Sequence, residues 1–193
     1  MKRLPLDAAI ALFLFGCIPV AVRYVSANPY TIGIFRLGIA ATVLFAISRT
    51  KIPPLNRRDL GGLALIGFMF FGHWLTFFLS IKTSSASIAA IGLSTYGIFL
   101  IVFGAIFSHH RLRAVEIAAV IVAAAGAILV VPAFDVTNDI TVGVILAIVS
   151  AMFYASLPLL HQRFSHLGTS ARAVGQLGFA LLCFLLFLPK TNW

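Results

Sequence analysis

The sequence predicts an all-α integral membrane protein with seven transmembrane helices, and three observations carry that prediction. First, 61% of the 193 residues are hydrophobic and only 10% are charged, too few charges to cover the surface of a soluble domain. Second, the charges gather in short breaks between long uncharged runs. Third, those runs have the length of about 18 or more residues that a helix needs to cross roughly 30 Å of hydrocarbon. Barrel strands would instead alternate every second residue over about ten positions.

The seven runs lie near Ala8–Val25, Tyr30–Ser48, Leu60–Ile81, Ser84–Ser108, Val115–Ala133, Val142–His161 and Ala173–Leu188. The first follows Lys2-Arg3 as a signal peptide would, but it is too long for a typical apolar signal core, contains Pro19 and leads straight into another span. It reads as an uncleaved helix. Connections are short, so sequential helices are expected to pack as antiparallel hairpins. Cys17 and Cys183 both fall inside runs, outside any metal or redox spacing, and read as small packing residues.

The net charge of +9 could suggest nucleic acid, but its placement points to topology. With the N-terminus inside, Lys2, Arg3, Arg49, Lys51, Arg57, Arg58, Arg111, Arg113, Arg163 and Arg172 fall on the inner side. Arg23, Lys82 and Lys190 fall outside and Arg36 lies within a helix, which accounts for all 14 basic residues. Ten against three is the bias of the positive-inside rule, so the basic residues face lipid headgroups. A seven-helix receptor has the reverse orientation. A retinal protein needs a lysine midway along its last span, and Lys190 stands at its end.

An internal echo runs through the chain. Phe15-Gly16-Cys17-Ile18-Pro19 is repeated by Tyr154-Ala155-Ser156-Leu157-Pro158, and Phe35-Arg36-Leu37-Gly38 by Gly175-Gln176-Leu177-Gly178. Order and spacing are nearly kept. Helices six and seven therefore read as copies of one and two, and a five-helix unit starts its second copy on the opposite side of the membrane. The expected units are residues 1–133, a complete five-helix repeat, and 134–193, the first two helices of an inverted second one.

Phe15-Gly16, the Pro29 to Arg36 stretch, Thr83 to Ile91 and Ala123-Ala-Ala-Gly126 together resemble the EamA-like branch of the drug/metabolite transporter superfamily. That resemblance implies ten helices in two inverted halves, with three still to come from further sequence, a second copy or another partner. It departs from the family midway along helix four, where Ser94-Thr95-Tyr96-Gly97 stands in place of a usual proline. His110 stands where an acidic residue is usual. The resemblance implies a transporter, here read as an exporter of small metabolites in the bacterial inner membrane with its N-terminus cytoplasmic. The alternative is a membrane scaffold, or a product that needs a partner to work.

Candidate site residues follow from what is costly in lipid. Arg36 lies seven residues past Pro29, about 10 Å deep at 1.5 Å per residue, and a charge there costs about 2.5–3.5 kcal/mol. It is expected to anchor an anionic group in a central cavity, the alternative being a side chain that snorkels to the headgroups. His73 could couple protons or simply bond a neighbouring helix. Trp74, too deep for the interfacial belt, could stack on a substrate or pack. Tyr96, Tyr154 and Gln176 complete the substrate-binding set, with Gln176 aligned to Arg36. Small-residue stripes, Ala86-Ala90-Ser94 and Ala119-Ala123-Ala127, read as helix-packing faces.

Other chemistries find little support. His109, His110, His161 and His166 fall on the inner side without converging carboxylates or thiols, and read as headgroup-facing rather than metal-binding. Ser94 lacks a partnered base, so no hydrolase is expected. No phosphate-binding loop, cofactor motif or nucleic-acid partner is indicated.

Overall fold

The computed structural model describes residues 6–48, 54–108, 113–129 and 138–192. Among them there are helices and short 3-10 turns but no strand: α1 (Leu6–Tyr24), α2 (Pro29–Ser48), α3 (Arg57–Thr83), α4 (Ala86–Ser94), α5 (Tyr96–Ser108), α6 (Ala114–Leu129), α7 (Asp139–Arg163) and α8 (Gly168–Leu185). Lys2, Arg3, Arg49, Lys51, His109, His110, Arg111 and the expected boundary between residues 133 and 134 lie outside the described residues.

The chain is an all-α membrane protein. Five spans have the length and apolarity to cross a bilayer: Pro29–Ile47, Arg57–Thr83, Ala86–Phe107, Asp139–Arg163 and Ser165–Leu185. Two shorter apolar helices, Ala8–Tyr24 and Ala114–Gly126, occupy the first and fifth expected positions.

Two expected boundaries change. The fourth run is two helices, α4 and α5, parted at Thr95, whose hydroxyl and N–H both turn back to the Gly92 carbonyl (2.7 and 3.2 Å). This local bonding tightens the turn and ends α4, at the place where the resembling family usually carries a proline. The last run starts earlier than expected, at Gly168 instead of Ala173. Gly168 takes φ +70, a conformation open to glycine, and lets α8 follow α7 after one 3-10 turn, Ser165–Leu167. Arg172 therefore lies inside α8, its guanidinium reaching the His161 carbonyl at 2.6 Å.

α3 is the hub, packed against α7, α8, α2, α4 and α1. Its start is fixed by a capping box, with Asn56 Oδ1 accepting from Asp59 N (2.8 Å) and Asp59 accepting from Asn56 N. Gly62, Gly67 and Gly72 recur along it, each facing a phenylalanine of the partner segments: Phe164, Phe179 and Phe153. Close backbone approach through small residues is how helices associate in lipid. The expected stripe on α4 is displaced, however: Ala90 and Ser94 are exposed, and Ala89 and Gly92 are buried, with Gly92 set against Ala147 of α7. A four-residue period picked a face adjacent to the packed one. On α6, Ala119 and Ala123 are exposed, and the Ala127 side chain lies outside the described residues.

Among the described residues, cations gather towards both ends of the bundle. At one end Arg23 donates to the Ile81 and Lys82 carbonyls (both 3.0 Å), satisfying orphan acceptors at the end of α3, and Lys82 donates to the Val25 carbonyl. Asn28 joins the same end by donating to the Lys190 carbonyl at 2.7 Å. At the other end Asp59 meets His166 at 3.0 Å, near Arg57 and Arg58. Cysteines placed singly at Arg23 or Lys190 are therefore expected to react with an impermeant thiol reagent from one face of sealed vesicles, and at Arg58 or Arg163 from the other. Labelling of all four from one face would contradict this arrangement.

Candidate functional site

Five of the six expected site residues meet at mid-depth, drawn from α2, α3, α5 and α7. Arg36 lays its guanidinium over the Trp74 ring, Cζ 3.6 Å from the centroid. Trp74 and His73 rings lie 4.9 Å apart, His73 stacks on Tyr154 at 4.5 Å, and Tyr154 meets Tyr96 at 4.9 Å. The result is a continuous ladder from a cation to two phenols. Tyr96 reaches it because the break at Thr95 starts α5 there.

Gln176 stands apart from the ladder. Its Oε1 lies 2.6 Å from His161 Nε2, towards the end of the bundle that carries Arg163 and Arg172. Its repeat partner Arg36 meets Trp74 instead, so the aligned positions have different neighbours. His161 and His166 are likewise paired, with Gln176 and Asp59, and not simply headgroup-facing. Among the described residues no group of three potential metal ligands converges.

The ladder is tied to α7 by a residue that the sequence reading passed over. Ser150, fully buried, has its Oγ 2.8 Å from His73 Nδ1 and 3.0 Å from the His73 carbonyl. The hydroxyl has one proton, and the carbonyl can only accept. The network therefore assigns the proton on His73 to Nδ1, which donates to Ser150 Oγ while Ser150 donates to the carbonyl. Ser150 lies four residues before Tyr154, on the same face of α7, and that spacing was the available signal. Ser150→Ala is expected to cost about 1 kcal/mol in unfolding from mixed micelles, within the range of interhelical bonds in membranes. Ser156→Ala should cost close to nothing, because Ser156 bonds only its own helix at the Phe153 carbonyl.

Trp74 is 3% exposed, and its ring face is taken by Arg36. Stacking of a ligand on that face therefore requires Arg36 to move. Its indole N–H has no acceptor, an unmet buried donor that costs about 1–3 kcal/mol. No carboxylate among the described residues pairs with Arg36. Asp59, Glu116 and Asp139 stand in the first turns of α3, α6 and α7.

Two clefts adjoin the bundle. One, about 610 Å³, lies between α1 and α2 and is lined by apolar side chains including Leu14, Phe15, Ile18 and Val22, with Arg36 its one charged wall. The other, about 660 Å³, is bounded by Leu65, Met69, Phe103 and Phe107 with Arg163 among its lining residues. Only the first contains a member of the ladder.

Comparison with known proteins gives a family and one relative. The EamA-like transporter family matches residues 6–131. The uncharacterized transporter YxxF of Bacillus subtilis (strain 168) is 21% identical over 95% of this chain and 64% of its own length. The chain thus spans just under two thirds of that relative. No solved structure matches.

Proposed function

The chain belongs to the EamA-like transporter family, and from that premise we propose that it exports small polar or amphipathic metabolites across the bacterial inner membrane by alternating access. One observation carries the reading: Arg36, His73, Trp74, Tyr96 and Tyr154 gather from four helices at mid-depth. Binding sites of repeat-built transporters lie near the midplane where the repeats meet. Here Arg36, His73, Trp74 and Tyr96 come from the first sequence unit and Ser150 and Tyr154 from the second.

In this reading Arg36 anchors an anionic group of the substrate. His73, Trp74, Tyr96 and Tyr154 shape the wall, and relative motion of α2 and α7 against α3 opens one side at a time. Gln176 enters later, at the His161 end of the path. The Arg58 and Arg163 end faces the cytoplasm together with the N-terminus. Three further helices or a second copy would complete the second side.

The test is release from proteoliposomes loaded with a bacterial metabolite extract, read by mass spectrometry of the outer solution. Protein-dependent loss of a defined subset of compounds is expected. Release that matches protein-free vesicles for every compound would overturn the reading. Export further predicts faster accumulation of the compounds in everted membrane vesicles, whose cytoplasmic face is outward, than in right-side-out ones.

A further inference from the structure

We propose that the cleft between α1 and α2 binds an amphipathic organic monoanion, with its carboxylate on Arg36 and its apolar body against α1. Two independent features select that class, an unpaired guanidinium and apolar walls. The guanidinium has its face on Trp74 and no carboxylate partner among the described residues, so its edge donors are matched to a planar, two-oxygen acceptor. Beneath the guanidinium, the indole N–H of Trp74, a residue 3% exposed, lacks an acceptor. Trp74 does not line the cleft, so the cleft's polar contact for an anion is Arg36, a group that only donates. The remaining walls, among them Leu14, Ile18 and Val22, are apolar.

Charge counting narrows the class further. Arg36 is the single cation of the cleft, which suits one negative charge and leaves a second one unpaired at a cost. Asp59, Glu116 and Asp139 stand at helix starts and no carboxylate lines the cleft among the described residues, so an amine or the amino group of a zwitterion finds no partner there. About 610 Å³ lies in the usual range for small-molecule sites. A branched or aromatic monocarboxylate fits these terms. A dicarboxylate, a phosphate ester or a cation does not.

The assignment deepens the transporter reading, yet binding itself does not require transport. The full chain in nanodiscs of zwitterionic lipid is titrated with tritiated 4-methylpentanoate. Unlabelled phenylacetate, leucine, 4-methylpentan-1-amine and glutarate compete. Saturable binding is expected, with phenylacetate competing well and the other three at least about tenfold worse, the worth of roughly 1.4 kcal/mol. Arg36→Gln and Ala21→Phe, the second filling the cleft from α1, should each weaken binding about tenfold or more, while Arg36→Lys retains part of it. Absence of saturable binding, equal competition by the amine or glutarate, or binding indifferent to Arg36→Gln overturns the assignment. Arg36-dependent binding with no passage across proteoliposomes overturns the transport reading instead. Passage of amines or dianions without such binding does the reverse.

Discussion

An Arg36→Ala variant is expected to insert and fold at close to the yield of the unmodified chain and to transport at the background rate. The two halves of this prediction rest on different energies. An arginine within a span costs about 2.5–3.5 kcal/mol to insert, and alanine removes that cost. Against it stands the loss of the guanidinium over Trp74, a contact worth about 0.5–2 kcal/mol. The balance favours insertion, so the variant should not fail for want of folding. Transport loses a charge-assisted bond to the substrate of about 1.5–3 kcal/mol, a fall of roughly tenfold to more than a hundredfold. Arg36→Lys keeps the charge without the planar fork and should fall between. The measurement is initial release rate from proteoliposomes at matched protein content. Unchanged rates in Arg36→Ala would sink the anchor, and a matching loss of folded protein would move Arg36 to a structural role.

How far the sequence could be read depends on what each level of structure answers to. Lipid solvent dictates long apolar runs and cations at their ends, so helix positions and the gathering of Arg23, Lys82 and Lys190 at one end were legible from composition alone. The break at Thr95 was not, because it comes from a side chain bonding Gly92 three residues back, with no proline to announce it. The start of α8 is not legible either, because a cation at Arg172 marks the edge of an apolar run, whereas its side chain bends back to the His161 carbonyl from inside the helix.

The candidate site shows the same division. Arg36, His73 and Trp74 stand out because polar or bulky groups at mid-depth need a reason, and Tyr154 because it opens a repeated motif. Their pairing was hidden, since composition does not say which neighbour a polar group meets. Gln176 aligns with Arg36 in the repeat and still faces His161. Ser150 was passed over because a single serine among apolar residues is unremarkable until His73 is placed beside it. Helix rotation decides these outcomes, and an apolar helix that is hydrophobic on all sides carries little record of its rotation.

Gly67→Leu is expected to have the largest effect on folding of any single change considered. A Cβ at this position would meet Cβ of Phe179 and, at 3.0 Å, the backbone nitrogen of Ala180. A backbone atom cannot turn aside as a side chain can, so α3 and α8 would have to separate. Those helices share buried contacts on both sides of the glycine, Leu63 and Ile66 with Ala171 below it and Phe71 with Phe184 above it. Overpacking in a core costs about 1–3 kcal/mol and occasionally more. In lipid no hydrophobic force restores the contact, because helix association rests on the packing itself. Gly72→Ala should cost less, since its Cβ meets only the ring of Phe153, at 2.9 Å, which can shift. Gly61→Ala meets nothing within 4 Å and should be neutral or stabilise by up to about 1 kcal/mol through helix propensity. Size-exclusion recovery and unfolding in mixed micelles would rank the three. A Gly67→Leu protein as stable as Gly61→Ala would mean that α3 and α8 do not approach at this point.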